Sequence, residues 1–394
     1  MFERGGGLSC SAILKIALVI LHANPARGGA ERYTVDLAHG LRERGHGVSV
    51  VASTFDGAMQ ADDVQLEALG ATRAGRYANF IDKLERHLDE AKYDVVHAML
   101  PVPRCDVYHP HAGIAVEAIE SGHFKHQSAL KRALAKAGTQ FNRRRQRFAT
   151  VERELLTGAR APVVLCLSEY IKAVVRRHYD LPDGKMATLF NAVDLRKFDP
   201  LALPQSGNEI RKRLGISGDK VIALMIAQDF ARKGLKEAIV ALALLKDARL
   251  VLVVVGKEDP GVYRQLARRE GVEDRVIFAG PTSDPYSFYS AADFFVLPTR
   301  HDPCSLVVLE ALAMGLPVIS TTFNGACEIM TEGREGYVLK EPGDVSTLAG
   351  AMGRLMDLEI RKRMSRASLE LRPVLSYEKH LERLLGIYRE SVRS

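Results

Sequence analysis

"FFVLPTRHDPCSLVVLEALAMGLPVIST", residues Phe294 to Thr321, reads as strand, loop, helix and strand. Phe294–Leu297 is a run of strand formers stopped by Pro298, and "LPVIS" opens a second such run just after Gly315. Between them Ser305 stands where a helix N-cap is expected, and the apolar segment to Met314 has helical length. Two continuous apolar strands joined by a crossover helix are the unit of a buried parallel sheet. The same alternation runs outward in both directions. Short apolar runs at Ile16–Leu21, Val48–Ala52, Asp94–Ala98, Val163–Leu167, Val221–Ala227, Leu250–Val255 and Val276–Ala279 are separated by stretches long enough for helices. The fold class is therefore α/β.

A chain of 394 residues exceeds the size at which one core stops growing, so two domains are expected. The series breaks at "LFNAVDLRKFDPLALPQSGNEI", where Asn191, Asp194, Pro200, Pro204 and Gly207 interrupt every periodicity. This predicts an N-terminal domain over 1–192 and a C-terminal domain over 193–371. Each is doubly wound, and the two face each other across a cleft lined by the carboxyl ends of their strands. The tail "SYEKHLERLLGIYRE" reads as a last helix within 372–394.

Composition narrows the classes. The apolar run near the start is far shorter than the roughly 20 residues that span a bilayer, and Met1–Ser11 lacks the pattern of a signal peptide, so a cytoplasmic protein is expected. Five scattered cysteines with no Cys-x-x-Cys pair argue against a disulfide framework and a zinc site. A net charge of +7 favours phosphates, anionic lipid or nucleic acid as partners.

Chemistry is expected at three strand-to-helix loops. Gly28 and Gly29 precede a helix from Ala30 to Arg44, where a bare backbone and helix amides could receive an anion, or simply make a tight turn. Arg232 and Lys233 end the loop after Val221–Ala227 and suit a diphosphate, or form a solvated charged turn that could be removed without unfolding. The opening stretch carries Asp302 in its loop and Glu310 in its helix. A carboxylate in so apolar a helix is costly unless hydrogen-bonded. The vicinal hydroxyls of a ribose would satisfy it, as would a backbone amide or an arginine.

These residues carry a resemblance. "DPCSLVVLEALAMGLPVIS" resembles the E-x7-E segment of the retaining glycosyltransferases of family 4, with Asp302 in place of the first Glu. "RGGAERYTVDLAHGLRERGHGVSVV", "LFNAVDLRKFDP", "RKG" at Arg232–Gly234 and "NGACEIMTEGREGYVL" extend it over about Ile16 to Tyr388. "CDVYHPHAG" and "QDFARKG" make the chain similar to the lipopolysaccharide core glucosyltransferase I group. The resemblance implies the GT-B fold, two Rossmann-like domains facing across a cleft, and a hexose moved from a nucleoside diphosphate sugar, UDP-glucose favoured, to a lipid-linked saccharide. It implies that Glu310 holds the donor ribose, that Asp302 contacts donor-sugar hydroxyls, and that Arg232 and Lys233 neutralise the departing diphosphate. Ser305 and Leu306 would present helix amides to a phosphate, Gly28 and Gly29 would face donor or acceptor, and His109 or His111 would lie near the donor sugar. Ser305 stands where a Gly is frequent, and Gln228 where many members have Arg. With no Asp-x-Asp in the chain, no metal and no cofactor beyond the donor co-substrate is expected.

The stretch His123–Leu156 places Lys125, Lys131, Arg132, Lys136, Arg143, Arg144, Arg145 and Arg147 among Leu130, Leu134, Phe141 and Phe148. It reads as a membrane-surface element, with a solvated helix as the plain alternative. The expected place is the cytoplasmic face of the membrane, against anionic inner-leaflet lipid, with no nucleic acid. A nucleotide-sugar epimerase of the same fold and a basic binding protein without catalysis are the rival functions.

Overall fold

The structure, a computed structural model, describes residues 13–57, 59–111, 113–120, 143–202 and 205–393. The expected α/β class holds: two parallel sheets carry the chain. In the first, β1 (Lys15–Val19), β2 (Gly47–Ala52), β3 (Val64–Gln65), β4 (Val95–Ala98), β5 (Val107–Tyr108), β6 (Val163–Cys166) and β7 (Met186–Thr188) lie in the order 3-2-1-4-5-6-7. In the second, β8 (Val221–Ile226), β9 (Leu250–Val255), β10 (Val276–Gly280), β11 (Phe294–Val296), β12 (Val318–Thr321) and β13 (Gly336–Leu339) lie in the order 10-9-8-11-12-13. Both sheets reverse direction beside their first strand, the point at which doubly wound sheets bind ligands. The short β3, β5 and β7 and the glycine-led β13 were not legible as strands. Two or three residues carry no period, and their identity comes from the neighbour they pair with.

Alternation in β1 shows why its apolar run is continuous. Ile16 and Leu18 pack with Val48, Val50, Leu37 and Leu41 on one face. Ala17 and Val19 pack with Val51, Tyr77, Phe80 and Leu84 on the other. The helix α1 (Gly29–Glu43) covers the first face together with the last helix of the chain, Tyr377–Arg393. The latter puts Leu381, Leu384, Leu385 and Tyr388 on one stripe at helical spacing. It closes on α1 because Gly40 has no side chain: a Cβ there would lie 2.7 Å from Leu381 Cδ1. Two polar links fix the terminal helix. Tyr388 Oη and His97 Nδ1 are 2.6 Å apart, and His380 bridges the Tyr33 hydroxyl (2.8 Å) and the Phe190 carbonyl (2.9 Å).

The other half of the fold is a single core around the second sheet, in which Val308 and Leu312 of the helix Leu306–Ala313 pack with Phe294 and Phe295. Among the described residues no helix is long and apolar enough to cross a membrane. Of the basic stretch His123–Leu156, residues 123–142 lie outside the described residues. Arg143–Thr157 forms the helix α2, with Arg145 and Arg147 exposed.

Tyr388→Phe should lower stability by about 1–3 kcal/mol, because His97 then loses its Nδ1 partner while its Nε2 is already buried with none among the described residues. Chemical denaturation should show a lower midpoint at constant slope; an unchanged midpoint would mean that the hydroxyl does not hold the terminal helix.

Candidate functional site

In the second sheet the loops after β8, β9, β11 and β12 all leave the carboxyl edge. The loop after β8 turns back through Gly234, whose φ is +82° and whose Cβ, if present, would lie 2.2 Å from the Pro298 carbonyl oxygen. Only glycine closes that turn. Its closure tucks Lys233 inside, 9% exposed, with its ammonium hydrogen-bonded to the Asp302 carboxylate. Lys233 is thus not the exposed turn cation the sequence suggests. Asp302 is held by its backbone: its N–H donates to the Phe323 carbonyl (2.8 Å), and its carbonyl accepts from Gly325 N–H (3.0 Å). Burial pushes the Asp302 carboxyl up, but Lys233, Arg232 and a hydrogen bond from Ser305 outweigh it and hold it below its ordinary value. Burial lowers the Lys233 ammonium, with Asp302 opposing. Arg232 is different. One third exposed, it donates to the His301 carbonyl (2.7 Å) and pairs with Asp229 (3.3 Å).

Glu310 sits on the helix Leu306–Ala313, and its Oε2 accepts a hydrogen bond from the Tyr289 hydroxyl at 2.8 Å. In chain order the helices that matter next are α3 (Glu169–His178), α4 (Pro285–Ala291) and α5 (Leu306–Ala313). Tyr289 is fully buried on α4. Among the described residues Oε1 of Glu310 accepts no hydrogen bond. Burial pushes this carboxyl up to about 7, against the Tyr289 bond and the charges of Arg32 and Lys197. Among the described residues, no side chain caps either of two helix N-termini here. α1 begins after Gly28 and α5 after Ser305, and Gly29 lies against Leu306: a Cβ on Gly29 would lie 3.5 Å from Leu306 Cδ1. Ser305 holds the N-cap position without capping; its hydroxyl bonds Asp302, and its amide donates to Asn324 Oδ1 at 3.2 Å. The first amides of α1 and α5 are therefore left for an anion between them.

His109 and His111 belong to a buried aromatic cluster on the N-terminal side. His109 stacks on His97 (5.3 Å), meets His111 at 4.1 Å and takes Tyr33 edge-on at 5.3 Å. Among the described residues, both ring nitrogens of His109 and Nε2 of His111 are buried without a partner. Burial, then the neighbouring imidazoles, pushes His109 well below its ordinary value, and His111 falls to about 3, so both rings are neutral. Gly113, ending the same loop, has φ +84° and approaches His301: its Cβ would lie 3.3 Å from Nε2. The structure thus brings Asp302, Lys233 and Arg232 together, sets Gly29 against Leu306 at the start of the helix that carries Glu310, and places the histidines on the facing domain.

Sequence reading missed a cavity of about 240 Å³ between the carboxyl ends of β9 and β10, lined by Phe230, Gly256, Glu258, Arg264, Phe278 and Gly280. Arg264 lies over the Phe278 ring at 4.8 Å, and Glu258 accepts from Phe230 N–H at 2.5 Å. Gly256 and Gly280, each at the end of a strand, were the available signal. A hollow of about 410 Å³ around Arg334, Arg363 and Arg366 lies at the amino end of β13, on the opposite edge from these loops.

Residues 206–370 match the family model of the glycosyl transferases group 1, and residues 27–197 match that of Glycosyltransferase Family 4. The lipopolysaccharide glucosyltransferase WaaG of Escherichia coli K12 is 25% identical over 320 residues, covering 80% of this chain and 82% of that protein. The lipopolysaccharide core biosynthesis glycosyltransferase LpsE of Rhizobium meliloti is 33% identical over 156 residues, 39% of this chain and 45% of LpsE. Among solved structures, that of WaaG superposes with a TM-score of 0.80 at 23% identity, covering 95% of this chain and 99% of WaaG. Anabaena HepE in complex with UDP and glucose gives 0.69 at 19% identity, covering 95% and 98%.

Lys233→Ala should cost about 3–5 kcal/mol by leaving the buried Asp302 charge unpaired, whereas Arg232→Ala should cost no more than about 0.5 kcal/mol. Thermal unfolding of the two variants checks this; equal melting temperatures would contradict the buried pair.

Proposed function

The chain belongs to the glycosyltransferases that these two family models describe, and on that premise we propose that it moves glucose from UDP-glucose, with retention, to a lipid-linked saccharide such as lipopolysaccharide core. The observation that carries this reading is Glu310. Its carboxylate has one oxygen unpartnered among the described residues, in an apolar helix at the carboxyl edge of a doubly wound sheet, and vicinal ribose hydroxyls are the donors such an oxygen calls for. The cavity at Phe278 and Arg264 offers a flat apolar wall for the base. The uncapped starts of α1 and α5, with Lys233 and Arg232, suit the diphosphate, and Asp302 suits sugar hydroxyls. The names of WaaG and LpsE support the acceptor class, and HepE, which binds UDP and glucose, supports the donor.

The difficult step is departure of the diphosphate. Fixed cations and helix amides oppose the charge that develops on the leaving oxygen, and that charge is greater in the transition state than in the bound donor. Arg232, one third exposed, would exchange its Asp229 contact for a phosphate oxygen and oppose the charge that grows as the bond breaks. We assign no protein nucleophile: the departing phosphate oxygen accepts the proton of the acceptor hydroxyl as that hydroxyl attacks the same face. The neutral His109 and His111 add no competing charge near the sugar. Membrane attachment at the cytoplasmic face rests on the basic stretch ending in α2 and on a lipid-linked acceptor.

The pH dependence follows from Glu310. Its carboxyl is raised above the ordinary 4.5 to about 7, so ionisation within the folded protein comes only as pH rises through that value. Ribose hydroxyls donate to the ionised form, and UDP-glucose itself does not titrate in this range. The dissociation constant for UDP-glucose should therefore fall severalfold from pH 6 to pH 8. Glu310→Gln should flatten that profile and weaken binding at pH 8 by about 1.5–3 kcal/mol, the worth of hydrogen bonds to a charged group. Calorimetric titration at the two pH values checks this, and a parallel slope in both proteins would remove the ribose role.

Turnover should also persist in excess chelator, because protein cations do the work a metal would do. Loss of activity in chelator, restored by Mg²⁺ or Mn²⁺, would contradict it.

A further inference from the structure

The Asp302 loop is held from the other domain. Helix α3 of the N-terminal domain has the usual orphan amides at its start. Ser168, its N-cap, accepts from Ile171 N–H at 3.2 Å. The two earlier amides are satisfied across the domain boundary: Glu328 Oε2 accepts from Glu169 N–H at 2.8 Å, and Oε1 accepts from Tyr170 N–H at 2.6 Å. One helix start is therefore capped half by its own domain and half by the other, with a carboxylate on the positive end of the dipole.

The same end of α3 reaches back to the donor loop. Ser168 Oγ donates to the Pro303 carbonyl at 2.7 Å, and Tyr170 Oη meets His301 Nδ1 at 2.8 Å. Asn191 Nδ2 donates to the Cys304 carbonyl at 2.8 Å. Every neighbour of Asp302 from 301 to 304 is thus tied to the N-terminal domain, while the Asp302 carboxylate is bonded within its own domain, by Lys233 and Ser305. The fit depends on Gly325, where a Cβ would lie 2.1 Å from the Pro303 carbonyl oxygen and 2.2 Å from Ser168 Oγ. Glu328 is exposed and contributes nothing to the core, so its two-pronged contact has no packing reason.

We propose that Glu328 is a positioning residue that, by completing the cap of α3, latches the two domains and sets the Asp302 loop against the donor. It touches neither Lys233 nor the diphosphate site, and acts only through the loop that Ser168, Tyr170 and Asn191 hold. This rests on the donor reading given above.

The test uses the full chain with UDP-glucose, following hydrolysis of the donor so that no acceptor need be known. Glu328→Ala should lower kcat about tenfold with KM within about threefold of wild type, the signature of misplaced catalytic geometry, and lower the melting temperature by no more than a few degrees, the cost of a lost helix cap. Glu328→Gln, which keeps one acceptor oxygen, should fall between. Ser168→Ala should give the same kcat-selective loss, and the double variant should be no worse than the stronger single one, since both open one latch. Amide exchange at Glu169 and Tyr170 should accelerate in Glu328→Ala. Wild-type kcat in that variant, or strictly additive losses, would overturn the proposal. If the wild type neither binds nor hydrolyses UDP-glucose, the donor reading fails instead; unaltered exchange at the two amides would then overturn the latch as well, and accelerated exchange would uphold it.

Discussion

The site is organised around one buried ion pair, Lys233 with Asp302. A buried pair is favourable only if its geometry is fixed, and here the fixing is done by backbone on both sides. Gly234 turns under the Pro298 carbonyl to bring Lys233 inward, and the rung to Phe323 and Gly325 holds Asp302 in place. Each end of the pair comes from a loop at the carboxyl edge of the second sheet, so the pair also stitches the loops after β8 and β11. On the proposed reading, a nucleotide-sugar donor would meet a carboxylate already oriented and an ammonium already desolvated.

Around that pair the electrostatics are asymmetric. Asp302 is held ionised by its cations, while Glu310, with only a tyrosine hydroxyl bonded to it, is pushed toward protonation. Two acids eight positions apart therefore differ in what they need: Asp302 has its counter-charge within the protein, and Glu310 waits for donors from outside. The facing histidines are neutral because burial forbids them charge, which leaves the opposite wall polar and uncharged at these rings.

Much of this was legible in the residues. The α/β class followed from continuous apolar runs, and the sheet strands with five or six residues were found within one or two positions. The two-residue strands were not, because pairing rather than pattern makes them strands. Asp302, Glu310, Arg232 and Lys233 could be singled out from charge in apolar or loop settings. Their relations could not. That Lys233 is buried while its neighbour Arg232 is one third exposed depends on the close approach of Gly234 to Pro298, residues 64 positions apart, which any side chain at 234 would block. Tyr289 as the partner of Glu310, and Glu328 as half the cap of α3, are contacts between distant segments that no local period encodes.

The most direct test of the account is a crystal structure of the protein soaked with UDP-glucose. The ribose hydroxyls should lie on the free oxygen of Glu310, the diphosphate between the starts of α1 and α5 within reach of Arg232 and Lys233, and the glucose against Asp302. A nucleotide bound elsewhere, with Glu310 still bonded only to Tyr289 and the helix starts unoccupied, would contradict it.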